Sequence, residues 1–193
     1  VSAQEDNVAS VDDVDVIVLN GVSSSGKSTL ARRLQDELAG TWLTFGIDTL
    51  IGATSDTANF GLDGLVFVSD GSIHVGPAFR RLEAAWLEGL ATMARAGVPL
   101  ILDEVFLEGA TSQERLAGVL DGLRVVWVGV MCDEEVAVSR EALRGDRIVG
   151  MTERQTTIVH AGVTYDVIVD TTHRAADELA REVARYVEAN ATS

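Results

Sequence analysis

One cysteine, Cys132, stands in the 193 residues, which excludes an internal disulfide framework and any cysteine-based zinc site. The three histidines, His74, His160 and His173, share no metal-binding spacing and read as surface or supporting residues. No apolar run approaches the ~20 residues that span a bilayer, so no membrane partner is expected. Positive charge is scarce. Fifteen Lys and Arg against 30 Asp and Glu give a net charge of −15, and repulsion from a polyanion excludes a general nucleic-acid binder. The polar start, VSAQEDNVASVDD, has neither a basic n-region nor an apolar core and does not follow a secretory signal. Residues 1–13 are expected to be an acidic flexible tail, and a cytoplasmic protein is the simplest expectation. What remains is ordinary: 47% hydrophobic and 23% charged residues, at a length suited to one domain with a sizeable core.

Lysine is the scarcest cation, with Lys27 alone beside fourteen arginines. It lies in GVSSSGKS, residues 21–28, which follows an apolar strand and opens a helical stretch. That is the pattern G-x-x-x-x-G-K-[ST], a P-loop. Gly21 and Gly26 allow a tight turn that brings consecutive N–H groups onto phosphate oxygens. Lys27 reaches the β- and γ-phosphates, the Ser28 hydroxyl can ligate Mg²⁺, and the following helix points its positive end at the same anion. A compact ammonium is not interchangeable with a planar guanidinium, so keeping lysine here marks a phosphate site. Gly21, Val22, Ser23, Ser24, Ser25, Gly26, Lys27, Ser28 and Thr29 form the expected cradle. Neither N-K-x-D nor D-x-x-G, the signatures of guanine-nucleotide switches, occurs in the chain.

Hydrophobic patterning gives alternating strands and helices. Strands are expected at 14–20, 41–48, 98–106, 124–130 and 165–170, with a hairpin around Asp70-Gly71. Helices are expected at 27–39, 78–96, 111–120, 133–144, about 152–160 and 174–189, and residues 52–64 read as a loop. Fully apolar strands alternating with helices imply a parallel sheet covered on both faces. The expectation is an α/β fold: one P-loop kinase-like domain over 14–193, five parallel strands, helices on both faces and a small hairpin insertion.

Ligands of an open α/β sheet sit beyond the carboxyl ends of its strands. Asp103, directly after an apolar run, is placed like a Walker-B Asp that would hold Mg²⁺ with Ser28; a strand-end cap is the other reading. Glu104 points to the opposite face, toward substrate or solvent, and Phe106 follows it on the substrate side. Asp48 is a candidate general base for phosphoryl transfer to a hydroxyl, or else an N-cap for the turn Thr49 to Gly52. Arg140, Arg144 and Arg147 share a helical spacing before a Gly-containing turn. They are either a lid over the phosphates, at about 140–155, or a solvated face paired with Glu134, Glu135 and Glu141. Arg140, Thr171 and Thr172 are further expected nucleotide contacts.

Taken together, these runs resemble the chloramphenicol phosphotransferase family of antibiotic kinases. The likeness covers nearly all of residues 14–173 and rests on IVLNGVSSSGKS, WLTFGIDTLI, VGPAFRRLE, ARAGVPLILDEVFL, VVWVGVMCD, SREALRGDRIVGM and VHAGVTYDVIVDTTH. The resemblance implies ATP, Mg²⁺ and transfer of the γ-phosphate to an alcohol of a small-molecule antibiotic, giving resistance by inactivation. It implies Asp48 as the base and Arg144 and Arg147 as lid residues. The chain departs from the family pattern at Ser25 and at Glu104, where a second Asp is usual, and most of all over 52–75. Those departures bear on the acceptor, which is chloramphenicol or another hydroxylated antibiotic, nucleoside-type included. A kinase of a nucleotide sugar or metabolite, and a non-catalytic nucleotide-binding regulator, are the alternatives. Oligomeric state is not legible in the sequence, and a homo-oligomer stays open.

Overall fold

The computed structural model describes residues 14–54, 63–68, 72–144 and 151–190, the side chains of Phe67, Arg144, Met151, Glu153 and Arg154 excepted. Its elements run β1 (Val16–Asn20), α1 (Lys27–Glu37), β2 (Leu43–Gly46), α2 (Ile47–Ala53), β3 (Leu65–Phe67), β4 (Ile73–Val75) and α3 (Pro77–Arg95). They continue with β5 (Leu100–Glu104), α4 (Ala110–Val119), β6 (Val125–Met131), α5 (Glu134–Arg144), α6 (Met151–Thr156), β7 (Val167–Asp170) and α7 (Ala176–Asn190). Five strands pair in parallel in the order β2-β5-β1-β6-β7, and β3 and β4 form the separate antiparallel hairpin.

The central strand shows why both faces are covered. Side chains alternate across a strand, so Ile17 and Leu19 face one way while Val16 and Val18 face the other. The first pair joins Leu30 and Leu34 of α1 and Val183 and Val187 of α7 in one cluster. The second joins Leu87 and Leu90 of α3 and Leu116 of α4 in another. All five residues of β1 are buried, as a central parallel strand requires. The edge strands differ: Leu43 of β2 is 37% and Ile168 of β7 is 58% exposed, so the full coverage expected of every strand holds only toward the middle.

Most boundaries fall within two residues of the sequence expectation, and two differences change an element. The second strand stops at Gly46, and Asp48 lies in the first turn of α2, a helix the loop assignment over 52–64 did not foresee. Thr49 is what starts that helix, its hydroxyl accepting from the Gly46 N–H at 3.2 Å. The α6 helix also ends at Thr156 instead of running to 160, and residues 157–162 form turns. The expected tail, 1–13, the hairpin tip at Asp70-Gly71 and the turn at 145–150 lie outside the described residues.

Register fixes the site. Leu19 pairs with Asp103 and Asn20 with Glu104, so the end of β5 stands beside the mouth of the P-loop. On its other side Gly46 pairs with Asp103, and a Cβ on Gly46 would meet the Asp103 carbonyl oxygen at 2.4 Å. Gly46→Ala should therefore push β2 off β5. We expect a loss of about 1–3 kcal/mol, read as a melting temperature lower by roughly 2–4 °C per kcal/mol.

Candidate functional site

The P-loop joins the end of β1 to the start of α1, and its backbone is bent accordingly. Gly26 has φ 93°, and Ser24, with φ 60°, adopts the left-handed conformation that costs an L-residue on the order of 1 kcal/mol. Gly21 serves a different end: an added Cβ would lie 2.4 Å from the Val130 carbonyl oxygen, so it permits close approach to β6. The Val22 side chain packs with Ala137 and Val159, leaving its backbone to the loop. The hydroxyls of Ser23, Ser24 and Ser25 are buried, with no hydrogen-bond partner among the described residues. A buried hydroxyl left unpaired costs about 1–3 kcal/mol, so three of them around one bend are arranged for an anion that is to arrive. The site fits a phosphate chain.

Lys27 is buried and donates from Nζ to the Val22 carbonyl at 2.8 Å, with Asp103 Oδ1 at 3.8 Å. Ser28 Oγ donates to Asp103 Oδ2 at 2.5 Å. The structure thus joins the two residues that the sequence nominated for Mg²⁺. Hydroxyl and carboxylate oxygens suit a hard cation that keeps several waters and takes phosphate oxygens as further ligands. No cluster of three His, Cys, Asp or Glu suited to holding a metal occurs among the described residues.

The other end of the P-loop rests on β7 and α5. Thr171 Oγ1 donates to the Ser25 carbonyl at 2.6 Å, and Arg140 Nη2 donates to the Thr171 carbonyl at 2.8 Å. Arg140 Nη1 would lie 3.9 Å from a Cβ on Gly26, so this guanidinium stands against the loop and does not belong to a solvated face. Glu141, the expected partner of that face, is buried and accepts from the Thr152 hydroxyl at 2.8 Å. Thr172 turns to its own strand end, donating to Asp170 Oδ1 and accepting from the Asp133 N–H at 2.9 Å. Thr29 is exposed on α1, outside the cavity lining. Arg144 closes α5, its side chain outside the described residues, as is all of Arg147.

From the P-loop a cavity of about 260 Å³ opens toward the hairpin. Ser23, Ser24, Lys27, Ser28 and Asp103 line one end; Phe45, Ile51, Leu65, Ile73, Val75, Phe79, Leu87 and Phe106 give the rest an apolar wall, interrupted by Arg80, Glu83, Ser112 and Arg115. Asp48 stands on the wall between β2 and α2. It is not an N-cap, since Gly46 holds that position and Thr49 satisfies it. Glu104 also faces the cavity and is buried. Burial, with Asp103, Glu83 and Asp48 nearby, pushes its carboxyl up to about 8 against the opposing pull of Lys27. Such a group keeps its proton at neutral pH and can donate a hydrogen bond. Two of the three cavity arginines are matched internally: Arg80 meets Glu83 at 2.8 Å and Glu108 at 2.9 Å, and Arg115 meets Glu108 at 2.8 Å, while Arg32 lines the cavity with no carboxylate partner among the described residues. Glu108 is accordingly held below the usual carboxylate range, first by its hydrogen bond from Arg115.

A family model described as chloramphenicol phosphotransferase-like protein matches residues 14–188. The chain belongs to this family. It is a P-loop phosphotransferase, an enzyme of the small-molecule kinase class. A Mycobacterium tuberculosis protein of strain H37Rv, provisionally named an O-phosphotransferase, is 32% identical over 190 residues, covering 90% of this chain and 82% of that one. Solved structures share the fold at lower identity. A sugar kinase from Janibacter has a TM-score of 0.67 at 18% identity, covering 91% of this chain and 95% of its own. The Mycobacterium tuberculosis APS kinase, in complex with AMPPNP and APS, has a TM-score of 0.62 at 17% identity, covering 92% and 99%.

Within this phosphotransferase, several polar residues around the site escape a reading by motif. Gln155 of α6 accepts from the Ser23 N–H at 2.7 Å. Asn20, at the end of β1, donates to the Val159 carbonyl at 2.7 Å and to the Tyr165 hydroxyl at 2.6 Å, and accepts from the Phe106 N–H at 2.9 Å. That network ties the P-loop's approach to the turn after α6 and to the cavity wall at Phe106. The one signal in the sequence is an asparagine closing an otherwise apolar strand, since a buried amide needs partners.

Proposed function

We propose that this enzyme moves the γ-phosphate of ATP to a hydroxyl of a neutral antibiotic, chloramphenicol-like or nucleoside-type, and so confers resistance in the cytoplasm. The observation that carries the reading is the single cavity running from the P-loop to a largely apolar compartment, with Asp48 between the two. An apolar wall suits an acceptor with an aromatic or aliphatic body. The alternative acceptor, a nucleotide sugar, is polyanionic and needs several uncommitted cations, whereas Arg80 and Arg115 are already matched by Glu83 and Glu108 and only the exposed Arg32 is left beside Lys27.

ATP supplies the phosphoryl group, and Mg²⁺ spreads its negative charge. The P-loop N–H groups and Lys27 would hold the phosphates and Ser28 and Asp103 the metal, while Arg140 and Thr171 brace the loop from behind. Asp48 accepts the acceptor's hydroxyl proton. Glu104 and Phe106 contact the acceptor, and Arg144 and Arg147, in a lid at about 140–155, close over the phosphates. The test incubates the protein with γ-labelled ATP and a panel of chloramphenicol-type, nucleoside-type and nucleotide-sugar acceptors. Label on a neutral antibiotic is expected. Label on nucleotide sugars alone, or released only as inorganic phosphate, would overturn the proposal.

A further inference from the structure

We infer that Gln155 is a terminal-phosphate ligand, donating from its side-chain amide to the phosphoryl group that is transferred. The inference rests on the kinase reading above and goes beyond it, because no motif reaches Gln155.

Three observations converge. The first fixes the orientation of the amide. The Ser23 backbone N–H is a donor only, so the Gln155 atom 2.7 Å from it must be the carbonyl oxygen, Oε1. The amide nitrogen, Nε2, therefore points the other way. The second is that this nitrogen has no acceptor among the described residues, although Gln155 is 95% buried and lines the cavity. The nitrogen opens onto the cavity and is not sealed within the protein, so an acceptor that arrives with a ligand can take the place of water on its two N–H groups. The third is position along the loop. Lys27 Nζ folds back to the Val22 carbonyl, and Gln155 takes the N–H of the next residue, Ser23. Both groups therefore stand at the start of the P-loop, where the lysine meets the β- and γ-phosphates. Arg140 and Thr171 brace the opposite end, at Ser25 and Gly26. A donor beside the lysine ammonium addresses the terminal phosphate, and one beside Gly26 would not.

The backing of Gln155 suits the role. Glu141 of α5 accepts from both the N–H and the hydroxyl of Thr152, one turn before Gln155 on α6. A helix pinned in this way holds the amide in place before the nucleotide arrives, which is what a positioning donor needs.

Gln155→Glu separates the two halves of the side chain. It keeps an acceptor for Ser23 but loses both donors. Gln155→Met removes both without adding charge. Binding of ADP and of a non-hydrolysable ATP analogue would be measured for each by calorimetry, with melting temperature as the check on folding. Both variants are expected to weaken the ATP analogue at least about tenfold more than ADP, since only the analogue carries the third phosphate. In the unaltered protein, the Gln155 side-chain NH₂ resonances should shift with the analogue and stay in place with ADP. This measurement decides the matter even if both variants fail to fold. Equal losses for the two nucleotides, wild-type affinity in Gln155→Glu, or amide resonances indifferent to the third phosphate would overturn the inference and leave the kinase reading standing. Failure of the unaltered protein to bind either nucleotide would overturn both.

Discussion

Asp48→Asn is expected to lower turnover about 10²–10⁴-fold with nucleotide affinity nearly unchanged, as loss of a general base does. Asparagine keeps the size of the side chain and its place on the cavity wall but cannot take up a proton. Nucleotide binding should survive, because Asp48 belongs to α2 and the cradle is built from 21–28. Stability should fall little. The cap of α2 is made by Thr49, and an acid in a first helical turn contributes about 0.3–1 kcal/mol through the helix dipole. Single-turnover kinetics together with nucleotide calorimetry check the pair of outcomes. Undiminished turnover would remove Asp48 from the mechanism. A parallel loss of ATP affinity would give it a place in the cradle instead.

How far the sequence led depended on the range of the contact concerned. GVSSSGKS was legible because every chemical requirement of the loop falls within eight consecutive residues. Asp103 was legible because an apolar run ending in an acid has few places to go in a parallel sheet. The pairing of Leu19 with Asp103 then brings it to Lys27 and Ser28. The α2 helix was missed because Ile47–Ala53 is short and its apolar residues suit a strand end nearly as well. What separates the two is a 3.2 Å hydrogen bond from Gly46 to Thr49, a detail of geometry and not of pattern. Gln155 lies 132 residues from Ser23, and a lone glutamine on a short helix carries no period or spacing to flag it. The cavity beside the P-loop was illegible for the same reason. Its walls come from β2, α2, the hairpin, α3 and the turn after β5, and Arg80 finds Glu108 only once these are folded together. Local chemistry is written in the sequence; the cavity beside it is made by tertiary packing.

Replacing the only lysine tests whether its chemistry is irreplaceable. Lys27→Arg keeps the charge yet is expected to lower kcat by about 10²–10³-fold, comparable to removing one preorganised donor from a transition state. The ammonium is buried and occupies a narrow place, 2.8 Å from the Val22 carbonyl and 3.8 Å from Asp103. A planar guanidinium is wider and presents a fixed fork, so it cannot meet both groups and also reach along the phosphates. Lys27→Met should do worse in a second way. It leaves Glu104 beside Asp103, Glu83 and Asp48 without the cation that now draws its carboxyl down. Removing one partner of a buried ion pair costs about 3–5 kcal/mol, and Asp103 is partly exposed, so the loss should fall at or below the lower end. Bound nucleotide and Mg²⁺ should return part of that stability to the arginine variant, since anything that binds only the folded state raises the melting temperature. Thermal melts of both variants, with and without Mg·ATP, and their turnover rates test this directly. Wild-type turnover in Lys27→Arg would make the lone lysine an accident of composition; loss of turnover with a native melting temperature would assign it to the phosphates.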